Sequence, residues 1–514
     1  MIFDQKFLAK TSFYLLFCLF ILYLVLDLSF VSEYKLVILG VFVGVFVIFL
    51  NKVDFKLNLS KRVEGVLLIF ILGLAFVYRI YFLGFQSFWI DESFSVLSAM
   101  NISEFGYPSF ESPYLRSLIH SYSLFIMGLL FGFSEFSMRF LSVIAGVFIV
   151  YLGYLIGRSY GSVFGLSFSF ILGFSYLMIA WSRQARMYIF LLLFVMLAFY
   201  FYFKYLESGE IKFLILSLFS GTLSGSFHVI GLSSVFAVLA SSVIFNPKSI
   251  VFVLKNKFSY FVFVLLGYFL FKSFSVISFS NNFWSYHDFF LVEHLFFLVL
   301  SIPGYFLFKK NADSLSRSFV FEIFLVLNLF AVLFFVDVVN FRYGFLIYFV
   351  IYFLACFSIV YFVKFFSSSY AKVVVLVLLV FISPLVLVPE KVYYLEDGTP
   401  MPDFKLAYEE IRSLDGEFVV SHGAIHRLYY GKNPDFWLSI DLSGRQRFRD
   451  VDVYTGALGV YEVSFFDDFS GYVVLDDMAF ARISDDMRHF IENQTLLNVW
   501  GDTHWHRVYL YEVE

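Results

Sequence analysis

The sequence predicts a polytopic α-helical membrane body followed by a small soluble α/β domain. The chain has 514 residues, of which 61% are hydrophobic and only 15% charged, against about a quarter charged in soluble domains. Its mean hydropathy is +0.84. Apolar runs close to the ~20 residues a helix needs to cross a bilayer recur from residue 11 to residue 388. Charge is divided unevenly along this pattern. Residues 389–514 hold 11 Lys and Arg against 23 Asp and Glu, a net of −12, whereas residues 1–388 hold 25 against 17, a net of +8. A basic, apolar body therefore carries an acidic tail. The composition excludes an ordinary globular enzyme. The basic residues are scattered between apolar runs, so no nucleic-acid partner is expected. Cys18 and Cys356 lie inside apolar runs, so neither staples the tail, and no metal or redox cysteine motif is present.

The apolar segments fall at 11–31, 35–50, 64–83, 113–131, 139–157, 161–180, 187–206, 211–228, 229–245, 258–278, 292–308, 318–337, 345–363 and 371–388. The first lacks a small-residue cleavage site and reads as a retained span. Lysines and arginines gather in the cytoplasmic loops of membrane proteins. The basic stretches 51–63, 246–257 and 309–317, with Lys204, Lys212, Lys364 and Lys372, all face one side only if 113–131 does not cross. Its first half is polar, with Arg116, Ser117, His120, Ser121 and Ser123. It is therefore expected to lie along the outer surface or dip in. About thirteen spans remain by the length criterion, with the N-terminus cytoplasmic and the tail extracytoplasmic.

The expected domains are 1–63, two N-terminal spans and a cytoplasmic loop; 64–388, the membrane body with outer loop 84–138; and 389–514, the outer domain. The tail alternates strand-like runs (Glu417–Ser421, Tyr472–Leu475, Arg507–Val513) with helical ones at Phe404–Leu414 and Asp485–Asn493, an α/β pattern. Its His422, His426, His504 and His506 fit no metal spacing and read as solvated surface residues. Tyr429-Tyr430 with Trp437, and Trp500 with Trp505, read as core aromatics or as flat surfaces for a sugar or peptide.

Charge beside a bilayer is costly, so its placement is informative. The expected topology gathers an unusual polar set on the outer face: Asp91-Glu92, Arg116 and His120, Glu135 and Arg139, Arg183, Arg186 and Tyr188, His228, and Arg342-Tyr343. Each has an ordinary reading. Asp-Glu pairs are common in solvated turns, arginines anchor at interfaces, and Glu135 and Arg139, four apart, suit a pair on one helix face. Convergence of six chain positions on one face favours a site instead. Carboxylates there serve proton or metal work, and guanidiniums serve a phosphate.

Phe88–Met100, "FWIDESFSVLSAM", resembles the first outer-loop motif of GT-C glycosyltransferases, especially the family 39-like group of protein O-mannosyltransferases and lipid A aminoarabinose transferases. Ser112–His120, "SPYLRSLIH", resembles that group's proline-led surface helix, with the usual paired proline reduced to Pro113. Ser134–Arg139, "SEFSMR", resembles its Ser-Glu-Phe-x-x-Arg segment, with Leu141 where a proline is usual. Trp181–Tyr188, "WSRQARMY", is the nearest match, to a Ser-Arg-x-Ala-Arg-Met-Tyr stretch. The resemblance covers roughly residues 64–245 well and the later spans only generally. None of the motifs specifies the sugar.

The resemblance implies a GT-C-like fold and a transferase that takes a sugar from a polyprenyl-phosphate donor on the extracytoplasmic face. It maps the catalytic carboxylate to Asp91 and the motif's second acid to Glu92. His120, Glu135, Arg139, Arg183, Arg186, Tyr188, His228, Arg342 and Tyr343 are the candidate substrate-binding residues, with Arg342 favoured for the lipid phosphate. No cofactor is certain. A divalent cation is left open, and Asp91 and Glu92 would hold it. The acceptor is a protein, a glycolipid or a glycan, and single displacement would invert the anomeric centre. The competing reading is a transporter or flippase for a lipid-linked glycan. That function would place charge near the midplane, where Asp27 and Glu322 are the clearest acids.

Overall fold

The computed structural model describes residues 58–109, 114, 117–274, 295–311, 315–334, 341–364, 402–421, 423–432, 434–438, 458–459, 466, 468–481, 483, 485–501 and 507–514. The expected spans at 11–31, 35–50 and 371–388, with Cys18, Asp27, Arg116, His422, His504, Trp505 and His506, lie outside these. The body is a bundle of helices α1 (Lys61–Ile80), α2 (Ile90–Met100), α3 (Leu118–Phe131), α4 (Glu135–Arg158), α5 (Ser162–Phe174), α6 (Tyr176–Ser182), α7 (Tyr188–Ser208), α8 (Ile211–Phe227), α9 (Leu232–Phe245), α10 (Pro247–Lys255), α11 (Lys257–Phe274), α12 (Leu295–Asn311), α13 (Leu315–Phe334) and α14 (Phe341–Lys364). Among the described residues four helices are long and apolar enough to cross a membrane, or five if one bent pair is a single span.

The helices start and stop where sequence chemistry says they should. Ser60 caps α1 by accepting the Val63 N–H at 3.4 Å, and Ser134 caps α4 through the Ser137 N–H at 3.3 Å. α14 is the axle of the bundle: its apolar window is fully buried, whereas only 22% of the α1 window is. The many phenylalanines pay out here as edge and stacked contacts. Phe353 of α14 meets Phe321 at 4.8 Å, Phe308 at 5.4 Å and Phe168 at 5.4 Å between ring centroids. α4 and α5 form a close hairpin because glycine meets glycine. A Cβ on Gly157 would stand 2.9 Å from the Gly165 Cα, so any side chain there would push the helices apart.

Several apolar runs fold differently from their sequence reading. The run 161–180 is not one helix. It breaks at Ser175, which ends α5, begins α6 and hydrogen-bonds through its hydroxyl to Tyr352 at 2.9 Å. The break falls where Arg79 takes the carbonyls of Leu172 and Gly173. The basic stretch expected as loop 246–257 contains α10, turned 119° from the preceding helix. Pro247 at its first turn presets the backbone. Val251, Phe252 and Leu254 are exposed on it beside Lys248 and Lys255, the pattern of a helix lying in a membrane interface. The 14-residue α3 is a short apolar helix. Glu322 accepts from Tyr305 at 2.9 Å and pairs with Lys309 at 3.4 Å. It is tied to the basic end of α12.

The tail is an α/β domain built on β1 (Phe418–Val420), β2 (Phe436–Trp437), β3 (Leu458–Gly459), β4 (Gly471–Asp476), β5 (Thr495–Trp500) and β6 (Val508–Val513), with helices α15 (Phe404–Ile411), α16 (Gly423–Tyr430) and α17 (Asp485–Glu492). The sheet order is β3-β2-β1-β4-β6-β5. β3, β2, β1 and β4 run parallel, and β6 runs antiparallel to both of its neighbours, β4 and β5. Alternation along the strands feeds two cores. Val419, Val473 and Leu475 face one, with Met487 and Ile491 of α17; Phe418, Val420 and Val474 face the other, with Tyr408 and Ile411 of α15. The three expected strands and two expected helices are all present, with ends within three residues of those expected. His426 departs from its surface reading. It is fully buried, stacked on Tyr430 at 4.7 Å, and burial and Lys432 push its imidazole down to about 3.

Candidate active site

α2 begins directly after a short loop that leaves α1, so the Asp91-Glu92 pair occupies its first turn. Adjacent residues on a helix point about 100° apart, and the two acids meet different surroundings. Glu92 is fully buried and receives Arg139 in a fork: Nε donates to Oε1 at 2.9 Å and Nη2 to Oε2 at 2.7 Å. Glu92 also accepts the N–H of Trp89 at 3.3 Å and of Ala185 at 2.7 Å. Its four acceptor positions are thereby used. Arg139 spends its remaining N–H groups on the carbonyls of Leu83 (3.0 Å), Gln86 (2.7 Å) and Ser87 (2.9 Å). The same-helix pairing of Glu135 with Arg139 that their spacing suggested does not form, because Glu92 offers Arg139 a buried two-oxygen partner. Glu135 instead pairs with Lys405 of the tail at 3.5 Å and accepts from the Tyr429 hydroxyl at 2.9 Å.

Asp91 is the acid that reaches solvent. Its side chain is 18% exposed against 0% for Glu92. Its Oδ2 lies 3.3 Å from Nη2 of Arg186, and Arg186 Nη1 donates to the Asp91 carbonyl (2.9 Å) and to Ser95 Oγ (2.8 Å). The carboxylate also sits at the positive end of the α2 dipole. Arg186 faces the Tyr188 ring at 5.8 Å, and Tyr188 meets Trp181 at 4.8 Å and His228 at 6.1 Å between centroids. His228 ends α8 in an extended conformation, with Nδ1 accepting the Ile230 N–H at 3.4 Å.

α3 supplies a buried polar wall of Ser117, His120 and Ser121, residues that share a helix face. Burial and Arg186 hold the His120 imidazole down to about 3, so it is neutral. His120 Nε2, Ser117 Oγ, Ser121 Oγ, Trp89 Nε1 and Gln184 Oε1 are buried and find no hydrogen-bond partner among the described residues. Orphaned buried groups such as the three on this helix face suit a polar ligand or ordered water.

Arg183 is placed in the frame. Its Nη1 donates to the carbonyls of Tyr78 (3.2 Å), Arg79 (2.9 Å) and Tyr81 (2.6 Å), and Nη2 donates to that of Phe82 (3.4 Å). It thus caps the C-terminus of α1. Arg79, fully buried, returns the arrangement: it donates to the Leu172 (3.2 Å) and Gly173 (2.8 Å) carbonyls at the end of α5 and to Ser182 Oγ (3.1 Å). Each helix end is neutralised by an arginine from the other side of the junction. Gly146 makes room for this, since a Cβ there would collide with Ser182 and reach 2.9 Å from Arg79 Nε. Arg342 and Tyr343 stand in the first turn of α14; their side chains lie outside the described structure. Sequence reasoning missed Arg79 and Lys405, and it read Tyr429 as a core aromatic or a flat surface for a sugar or peptide, not as a partner of the loop. A buried arginine inside an apolar run was the available signal for Arg79, whereas nothing local marks the approach of the two tail residues to the loop.

The acids do not fit a metal. Asp91 and Glu92 diverge, the Glu92 oxygens are occupied by N–H donors, and among the described residues no group of three or more His, Cys, Asp or Glu is placed to hold an ion.

Residues 116–276 match the family model described as dolichyl-phosphate-mannose-protein mannosyltransferase. No curated protein matches the chain by sequence. Among solved structures, the chain resembles ArnT from Cupriavidus metallidurans in the apo state, with a TM-score of 0.59 and 9% identity over 88% of this chain and 99% of that one. It resembles ArnT from the same organism bound to undecaprenyl phosphate, with a TM-score of 0.56 and 10% identity over 89% and 99% of the two chains. The architecture, a polytopic helical body with a small C-terminal α/β domain, is that of these proteins.

Proposed function

We propose that this chain, a member of the GT-C superfamily, is a membrane glycosyltransferase that moves a sugar from a polyprenyl-phosphate donor to an acceptor hydroxyl on the extracytoplasmic face, with inversion. The observation that carries the reading is the division of labour between the two acids. Glu92 is saturated by Arg139 and two backbone N–H groups, while Asp91, held by Arg186, keeps an exposed edge. Asp91 acts as general base and takes the proton of the acceptor hydroxyl. The resulting oxygen attacks the anomeric carbon, and the bond from that carbon to the lipid phosphate oxygen breaks. The electron pair leaves with the polyprenyl phosphate. Glu92 is a positioning residue. The orphaned atoms of Ser117, His120, Ser121 and Gln184 supply donors and acceptors for sugar hydroxyls. The undecaprenyl-phosphate complex of ArnT supports the choice of a polyprenyl phosphate as the donor's lipid part. The tie of Glu322 to Lys309 and Tyr305 speaks against reading that acid as a midplane transport site.

Charge that builds on the departing phosphate needs a cation. Arg139 and Arg183 are engaged with Glu92 and backbone carbonyls, which favours Arg342 at the start of α14. The decisive assay uses purified protein, a radiolabelled polyprenyl-phosphate sugar and candidate protein, glycolipid and glycan acceptors; no transfer and no donor hydrolysis with any donor would overturn the enzyme. In it, Arg342→Ala is expected to raise the donor KM roughly tenfold or more. Arg342→Lys should rescue only partly, because a lysine keeps the charge and loses the bidentate fork. An unchanged donor KM in Arg342→Ala moves the phosphate role to Arg186.

The sidedness has its own test. In a cysteine-free background, cysteines at the exposed positions Ser60 and Ser208 should resist a membrane-impermeant thiol reagent in intact cells, and cysteines at Ser103 and Ser413, also exposed, should react. Labelling of Ser208 without Ser413 would put α3 across the membrane and reverse everything after it.

A further inference from the structure

The loop between α1 and α2 is gripped from two sides. From the membrane body, Arg139 holds the carbonyls of Leu83, Gln86 and Ser87. From the tail, Lys405 Nζ reaches the Gly84 carbonyl at 3.4 Å, the Pro402 carbonyl accepts from Ser87 Oγ at 2.8 Å, and the Tyr429 hydroxyl accepts the Phe88 N–H at 2.8 Å. Tyr429 then donates to Glu135 at 2.9 Å. Glu135 lies one helical turn before Arg139 on α4, so the tyrosine hydroxyl joins the loop to the helix that carries the Glu92 clamp. The Phe88 ring lies buried under the Arg139 guanidinium, 5.2 Å from its centroid, in a cluster shared with Leu428 and Tyr429. Asp91 follows Phe88 by three residues.

We propose that Tyr429 of the tail is a positioning residue for Asp91, acting through the Phe88–Glu92 segment, so that the soluble domain completes the catalytic geometry of the membrane body. The proposal rests on Asp91 as the base. Burial and Glu135 hold the Tyr429 phenol well above its ordinary value, so the hydroxyl keeps the proton it donates to Glu135. Its ring is fixed independently by stacking on Tyr408, with centroids 6.2 Å apart and planes 12° from parallel. Removing the oxygen therefore tests the bridge without removing the packing. A misplacement of about 1 Å at a reacting group costs on the order of 10²-fold in rate.

Tyr429→Phe is expected to lower kcat by roughly 10- to 100-fold while the donor KM stays within about threefold. It should also speed amide hydrogen exchange in peptides covering residues 86–91. Tyr430→Phe, whose hydroxyl donates to the Leu414 carbonyl within the tail, is expected to leave both readouts at wild-type values. Wild-type kcat and exchange in Tyr429→Phe would overturn the proposal, as would equal losses in Tyr430→Phe, which would indicate general tail destabilisation. Asp91→Asn separates this from the functional reading. If Asp91→Asn is inactive and Tyr429→Phe is not impaired, the bridge fails and the enzyme stands. If Asp91→Asn is active, the base assignment fails, and unchanged exchange at 86–91 then counts against the bridge on its own.

Discussion

Asp91→Asn is expected to abolish transfer, with kcat falling by about 10²–10⁴-fold, the usual contribution of a positioned acid or base. The amide keeps the shape of the carboxylate, and the Arg186 contacts to the Asp91 backbone carbonyl and to Ser95 remain. Donor affinity and melting temperature should therefore stay near wild type, so that the loss reads as lost proton transfer. Asp91→Glu is expected to restore little, because the extra methylene moves the oxygens relative to Arg186. Wild-type turnover in Asp91→Asn, measured with the radiolabelled donor and a productive acceptor, would sink the assignment.

The second large effect concerns stability. Arg139→Gln leaves Glu92 buried without its fork and frees three loop carbonyls. Breaking a buried ion pair by removing one partner typically costs about 3–5 kcal/mol, and both side chains here are at most 5% exposed. The variant should melt well below wild type in detergent and lose activity with it. Glu92→Gln should be milder on stability, since the amide still accepts on one oxygen. It should nevertheless be damaging, because its NH₂ group faces the guanidinium. A wild-type melting curve for Arg139→Gln would mean that the fork does not hold the loop. The two acids thus give opposite signatures: Asp91→Asn loses rate and keeps stability, and loss of the Glu92–Arg139 pair loses both.

The architecture was legible because its signals are local. Apolar run length marked the membrane body, and short strand-like runs alternating with helical ones marked the strands at Phe418–Val420, Gly471–Asp476 and Val508–Val513. Motif order placed Asp91, Glu92, Arg139 and Arg186 in the neighbourhood they share. What was not legible was partner choice. Spacing suggested Glu135 for Arg139, and the fold assigned Glu92, 47 residues away. Run length likewise suggested one helix over 161–180, but Arg79 takes the carbonyls near Ser175, and no property of the run itself records an arginine on another helix. The tail's approach to the loop was invisible for the same reason. Tyr429 is one of 35 tyrosines, and its neighbour Tyr430 serves only the tail.

The bridge between Phe88 and Tyr429 spans 341 residues of chain. Proteins are synthesised from the N-terminus at about 5–20 residues per second, so roughly 20–70 s separate the two groups at the ribosome. Through that interval the loop lacks the three grips that the tail supplies. A chain cut short before the tail would carry every motif of the membrane body and still lack a fixed Asp91. The geometry proposed for Asp91 would then form only after residues 402–429 have been made and have folded against the loop, so that late synthesis of the tail itself licenses the chemistry.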